Sequence, residues 1–282
     1  MIKVVDSNCL QDACLEKFLS NPRNRVAISD QVAIEAYKGD PLKGIYKSYE
    51  IVSKHPKQVL ILKRTRIACG LSPKSKGLRA RFIDNSQTKS FSKFCKDLRL
   101  AQRGDKKIEK EILEHGSAAN RFMDEAKDNA KNMKEEVEKI FAGFSKDDKR
   151  KLREGRPYPE NIKNKIITDI LIITRKAFEL HSNFNGFINP PLVHNYYIFR
   201  YAVSSYFLAL RWMLTGGIND ARLDRLRNDA IDMQIISFST YFDGILTNDN
   251  KAIEVLNDVN WFIGMAKISE HEGHEQEGQI PS

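Results

Sequence analysis

Five carboxylates stand where they could act together. Asp6 closes the apolar run Met1–Val5, and Asp249 follows a second short run, Gly244–Thr247. Asp229 and Asp232, three residues apart, fall on one face of the helix expected before that second run. Glu35 lies on an early helix. Carboxylates held close repel one another unless a cation or a base relieves them. Hard divalent cations such as Mg2+ or Mn2+ prefer all-oxygen ligand sets of this kind. A cation so held activates water and neutralises phosphate charge, which is what phosphodiester hydrolysis needs.

Taken singly, each acid has a plainer explanation. Asp6 and Asp249 could each cap a following helix. Asp229 and Asp232 could be solvated acids paired with Arg222, Arg225 or Arg227, and Glu35 an ordinary surface position. The set favours a site only as a set. Other chemistries find less support. Cys9, Cys14, Cys69 and Cys95 form no C-x-x-C pair, and no Cys/His spacing suggests zinc. His271 and His274 lie in a polar tail.

The elements that must position these acids alternate at both ends of the chain. Strands are expected at Met1–Val5 and Val59–Leu62, a brief strand or a turn at Val26–Ser29, and helices over Asp12–Ser20, after Ser29 or Asp30, and over Leu42–Lys54. At the other end, Asn219 or Asp220 caps a helix over Ala221–Tyr241. The strand Gly244–Thr247, a helix over Asn250–Asn257 and a last strand at Trp261–Ala266 follow. Between these ends, Ile67–Asn85 reads as a loop, and helices are expected over Asp105–Phe144, Glu160–Leu180 and Leu192–Leu214, the last stopped at Thr215-Gly216-Gly217. Alternation of strands and helices favours a mainly parallel sheet covered by helices, with acids gathered at the carboxyl ends of the strands. The expected partition is an α/β core from residues 1–62 and 220–268, a mainly helical insertion or cap over 63–219, and a flexible tail over 269–282.

The 282 residues carry a formal net charge of +9. The segment Lys54–Arg103 holds fourteen of the 46 Lys/Arg and two of the 37 Asp/Glu, so the remainder is slightly acidic. A basic concentration of this kind, with Phe82, Phe91 and Phe94 interspersed, suits a nucleic-acid contact through Lys63, Arg64, Arg66, Lys74, Lys76, Arg79 and Arg81. It is equally what a solvated surface looks like. The apolar stretch Leu192–Leu214 contains His194, Arg200 and Arg211, which points to a buried core helix and not to a membrane span. The aromatics between Tyr196 and Trp212 read as core. No signal peptide is evident at the N-terminus, so a reducing cytoplasm is the expected compartment.

Val4-Val5-Asp6-Ser7-Asn8 resembles the opening strand of PIN domains, which an Asp closes. Asn228-Asp229-Ala230-Ile231-Asp232, followed by Asp243-Gly244-Ile245-Leu246-Thr247-Asn248-Asp249, resembles their C-terminal signature of an acid on a helix and then a short strand ending in Thr-x-Asp. Glu35 matches the acid the family places on an early helix. The resemblance covers residues 1–62 and 220–266; small PIN domains have no insertion as long as the block between. It implies a three-layer α/β sandwich with a central parallel sheet. It implies Asp6, Glu35, Asp232 and Asp249 as ligands of Mg2+ or Mn2+, with Asp229 a rival for the helix position. Ser7, Asn8, Thr247 and Asn248 would support the acids or touch phosphate. The implied activity is an endoribonuclease leaving 5′-phosphate and 3′-hydroxyl ends, of the kind used as a toxin or defence effector and held by a protein partner. A homo-oligomer is compatible with it. A DNA-directed or structure-specific nuclease shares every one of these residues. A catalytically silent nucleic-acid-binding or interaction protein is the competing reading from another class.

Overall fold

The computed structural model describes residues 1–181, 188–215 and 222–277, without the side chains of 127–134, 136, 141 and 266–277. In chain order the elements begin with β1 (Ile2–Val5), α1 (Ala13–Leu19), β2 (Arg25–Ile28), α2 (Asp30–Glu35), α3 (Pro41–Lys54) and β3 (Val59–Ile61). Then come α4 (Thr65–Ala68), α5 (Leu78–Arg81), α6 (Asn85–Gln102), α7 (Lys106–Ala142), α8 (Lys146–Glu154), α9 (Glu160–Leu180) and α10 (Tyr197–Leu214). The chain ends with α11 (Leu223–Ser239), β4 (Ile245–Leu246) and α12 (Asn250–Glu277). The result is an α/β fold in which helices predominate.

The strands form one parallel sheet in the order β3-β2-β1-β4. Val4, Val5, Val26, Ala27, Ile28, Val59 and Leu60 are all buried, the near-continuous apolar pattern of a parallel sheet covered on both faces. Register pairs Val4 with Ile245 and Val5 with Leu246 on one side of β1, and Ile2 with Arg25 on the other. The chain leaves β1 toward β2 and β3 and returns on the opposite side as β4. The carboxyl ends of β1 and β4 therefore flank a topological switch point, where open α/β sheets bind ligands.

Local sequence sets the helix starts. Asp12 accepts the Cys14 N–H at 2.7 Å, Ser29 the Val32 N–H at 3.4 Å, and Asp40, with Pro41 behind it, the Lys43 N–H at 3.2 Å. α10 is buried on nearly every face and packs on α9, α11 and α12. Its one internal cation, Arg200, donates to the carbonyls of His194 at 2.8 Å and Thr240 at 2.6 Å. Among the described residues, no helix is long and apolar enough to cross a membrane.

Several expectations need correction. The span Ile67–Asn85 is not one loop, because α4 runs into its start and α5 lies within it. The C-terminal part of the basic stretch folds as α6, whose Asp84 N-cap accepts the Gln87 N–H at 2.9 Å, and α8 starts on a Ser145/Asp148 capping box. Trp261–Ala266 is not a strand: it continues α12, which also runs through the residues from Ser269 to Glu277. The Gly216-Gly217 stop and the Asn219 or Asp220 cap fall outside the described residues; Arg222 precedes α11 and makes no side-chain cap.

A two-residue strand needs help to stay paired. Asp243, just before β4, accepts the Ile2 N–H at 2.6 Å and the Arg79 guanidinium at 2.9 Å, while the Arg79 Nε–H donates to the Tyr241 carbonyl at 2.9 Å. The Ile2 N–H, and after it Arg79, hold the Asp243 carboxyl below the usual range. Asp243→Ala should therefore lower stability by about 1–2 kcal/mol in urea unfolding at neutral pH. The folded-state pKa is depressed, so this contribution is present above about pH 4 and lost as pH falls further. A wild-type-minus-variant difference that stays constant down to acid pH would contradict this.

Candidate active site

Asp6 leaves the carboxyl end of β1 in extended backbone and enters a 3-10 turn, Ser7–Cys9, which its side chain does not cap. The capping explanation for Asp6 therefore fails. Its Oδ2 instead accepts the Thr247 hydroxyl at 2.7 Å, and Ser7 Oγ lies 3.5 Å from Oδ1. The residue is 4% exposed. Burial raises its pKa; the Thr247 and Ser7 bonds oppose that, and the nearby Asp249 adds to it.

Thr247, one residue beyond β4, links the two termini. Its Oγ1 donates to Asp6 and accepts the Asp249 N–H at 3.0 Å. Asn8 reaches the same oxygen at 3.4 Å and accepts the Asn248 N–H at 3.4 Å, while the Asn248 amide donates to Asp12 Oδ2 at 2.8 Å. Asp249 does cap α12, as its plainer explanation has it, with Oδ1 accepting the Lys251 N–H at 2.7 Å. Asp249 is also close enough to Asp6 and Asp232 to raise the pKa of each.

The two helix acids separate sharply. Asp229 is 2% exposed, accepts the Trp212 indole N–H at 2.8 Å and forms an ion pair with the Lys251 ammonium. It is an anchor between α10, α11 and α12, not paired with Arg222, Arg225 or Arg227. Asp232 is partly exposed and 4.0 Å from Lys251 Nζ. Its pKa is pushed up to about 8, by burial first and then by Asp6; Lys251 opposes the rise, and Asp229 and Asp249 add to it. Glu35, at the end of α2, is half-buried, which its surface reading did not expect. Burial raises its pKa, a Ser7 hydrogen bond lowers it, Asp6 raises it, and Lys38 and Arg227 lower it.

The structure thus gathers Asp6, Glu35, Asp232 and Asp249 on one edge and assigns Asp229 a structural bond set. The donors are all oxygen, which suits Mg2+ or Mn2+. Among the described residues, however, no group of three or more His, Cys, Asp or Glu side chains is arranged as if around a metal ion. The fit is one of donor chemistry and mutual repulsion, not of closed coordination geometry. Sequence reasoning missed Lys251, whose only signal is its place two residues after Asp249. It also missed Asp30, half-buried just past the carboxyl end of β2 and held by the Thr65 N–H at 2.9 Å and hydroxyl at 3.0 Å.

The basic candidates do not form one strip. Lys63, Arg64 and Arg66 follow β3 on the acid-bearing edge. Arg79 is bonded beside Ile2, at the opposite end of β1 from Asp6. Arg81 donates to the carbonyls of Ser72 at 3.1 Å, Lys76 at 2.6 Å and Lys74, so it shapes the loop that carries Lys74 and Lys76 at the surface. Phe82 is core, packed on Tyr241. Phe91 and Phe94 line a cavity of about 770 Å³ behind α2, whose wall carries Asp30, Asp97 and Glu111 against Arg64.

The two helix acids should respond oppositely to substitution. Asp229→Ala leaves a buried indole N–H and an ammonium short of a partner and should cost about 3 kcal/mol in urea unfolding. Asp232→Asn removes a repelled carboxylate and should leave the metal-free chain as stable or more so. Because the folded pKa of Asp232 is raised, its contribution is favourable below about pH 4 and is lost as pH rises toward about 8. The variant's gain over wild type should therefore grow across that window, and equal losses from both variants would refute the distinction. Compared with family models, curated proteins and solved structures, the chain matches none.

Proposed function

We propose that this chain is a metal-dependent nuclease built on a PIN-like three-layer α/β core, with RNA as its favoured substrate. One observation carries the reading. The Thr247 hydroxyl bonds Asp6 while holding the Asp249 N–H, so acids from opposite ends of the sequence share one edge at the switch point between β1 and β4.

In this reading Asp6, Asp232 and Asp249, with Glu35 beside them, hold Mg2+ or Mn2+. The bound cation supplies an activated water and neutralises charge on the phosphate. The chain's own residues prepare for that. Thr247 occupies one oxygen of Asp6 and orients the other. Lys251 limits the charge of the helix acids and holds Asp249 through its N–H. Burial and the neighbouring acids push the Asp232 pKa up to about 8 in the metal-free chain, so it would have to lose its proton to serve as a ligand, and loading should improve as pH rises. Lys63, Arg64 and Arg66 supply positive charge on the same edge for the nucleic-acid backbone. A toxin or defence role, a protein partner that restrains it, and a cytoplasmic setting belong to the same proposal.

One observation favours a second reading. Lys251 already neutralises Asp229 and approaches Asp232, as it would in a protein that binds nucleic acid without cutting it. End-labelled RNA and matched DNA, incubated with Mg2+ or Mn2+, separate the two. Wild type should cleave RNA, and Asp6→Asn, Asp232→Asn and Asp249→Asn should each lose about a hundredfold or more. Cleavage that is equal in wild type and variants would reject the site. Salt-dependent binding without turnover in the wild type would establish the second reading.

A further inference from the structure

Beside the acids lies a feature the proposed chemistry does not use. The Sγ atoms of Cys9 and Cys14 are 3.2 Å apart, within thiol hydrogen-bond reach, and both cysteines are free. Cys9 ends the 3-10 turn that begins at Ser7, and Cys14 is the second residue of α1. Cys9 is fully buried, whereas Cys14 is partly exposed. The other two cysteines, Cys69 and Cys95, are buried on other elements.

Two packed thiols are often no more than small apolar side chains. Three features here go further. A disulfide needs its sulfurs at about 2.05 Å, so closing the gap requires a shift of about 1 Å between two side chains already in contact. Only four residues separate the pair, so the backbone that must adjust is the turn itself. Cys14 gives a soluble oxidant access to one sulfur, and Cys9 is positioned to resolve the product.

We infer that Cys9 and Cys14 are a redox modification site, forming an intramolecular disulfide on exposure to a small-molecule disulfide. The steps balance. The Cys14 sulfur, having lost its proton, attacks one sulfur of the small disulfide; an S–S bond forms to Cys14 and one small thiolate leaves. The deprotonated Cys9 sulfur then attacks Cys14 Sγ, forming the internal bond and releasing the second thiolate. Two protein thiols lose two protons and two electrons, and one small disulfide becomes two thiols. Burial raises the pKa of both cysteines, which keeps the exchange slow.

The bond would not be silent. Asn8, next to Cys9, and Asp12, two residues before Cys14, both hold Asn248. Asn248 lies between Thr247 and Asp249. Drawing the sulfurs together moves the turn that grips this segment, whatever chemistry the acids perform.

The test uses the full chain, reduced, desalted and exposed to glutathione disulfide. Titratable thiols in denaturant should fall from four to two, and non-reducing peptide mapping should join the Cys9 and Cys14 peptides, reversibly with dithiothreitol. Cys9→Ser and Cys14→Ser should each abolish the link while leaving the far-ultraviolet circular dichroism unchanged. Amide hydrogen exchange over Thr247–Lys251 should change on oxidation of the wild type and not of the variants. Four persisting thiols, a stable mixed disulfide on Cys14, or a link involving Cys69 or Cys95 would overturn the site. Unchanged exchange over Thr247–Lys251 would overturn its coupling to the acids. None of these readouts depends on cleavage.

Discussion

The pairing of β1 with β4 is the constraint on which the acid cluster rests. It joins residues more than two hundred positions apart through a strand of only two residues, held by the bonds from the Val4 N–H to the Gly244 carbonyl at 3.0 Å and from the Asp6 N–H to the Leu246 carbonyl at 2.9 Å. A ladder that short has little cohesion of its own. It is closed at both ends by side chains: Asp243 grips the start of β1, and Thr247 grips the end. Both grips involve carboxylates. At the acid-bearing end, the Asp6 carboxyl that belongs to the cluster is therefore also part of what closes the ladder.

That arrangement has an electrostatic cost, and the structure divides it unequally. Asp229 receives an indole N–H and an ammonium, and so is a satisfied buried charge. Asp232, one turn on, receives only the distant side of the same ammonium and faces Asp6 and Asp249. Two acids of the same type on one helix thus have opposite characters. The difference comes from which of them lies over α10. Lys251 is the hinge of this division, since its Nζ serves the helix acids and its backbone N–H serves Asp249. Lys251, from the first turn of α12, offsets part of the repulsion between the helix acids while leaving Asp232 unsatisfied.

Much of this scaffold was legible because it depends on local rules. The apolar runs at β1 and β3, the Ser29 cap and the helices over α1 and α3 are signals carried within a few residues, whereas Val26–Ser29 alone fits a turn as well as the strand β2. The failures have physical causes too. Trp261–Ala266 has the apolar density of a strand, but it extends a helix whose buried face, Val255, Val259 and Phe262, already packs on the core. The loop reading of Ile67–Asn85 followed Gly70, Pro73 and Gly77, which punctuate short helices and do not abolish them. The basic segment misled because composition has no direction: Arg64 and Arg79 lie close in sequence, yet Arg79 is committed to a carboxylate and a carbonyl at the far end of β1. Asp249 was legible in both its roles, as cap and as edge acid, because one carboxylate has oxygen enough for both. Lys251 was not legible, since a lysine in a first helical turn is ordinary until the fold brings Asp229 beneath it.

The helical block between the two ends of the sheet bears on the same site. Trp212 belongs to α10, within that block, and its indole fixes Asp229; Asp229 fixes Lys251; Lys251 sits 4.0 Å from Asp232. The first two links are directional bonds to a buried carboxylate and the last is a longer ion pair, and the first starts in a helix buried on nearly all faces. α11, which carries both acids, lies against β1 and β4 on one side and against α7 and α10 on the other. The position of Asp232 over Asp6 is consequently set from two directions: by the sheet through α11, and by the helical block through Trp212. A helical segment that merely covered the sheet could be shortened without moving the acids. One that supplies the buried donor for Asp229 cannot, because removing that donor would leave one oxygen of a buried carboxylate unpaired and loosen the anchor that places Lys251 beside Asp232.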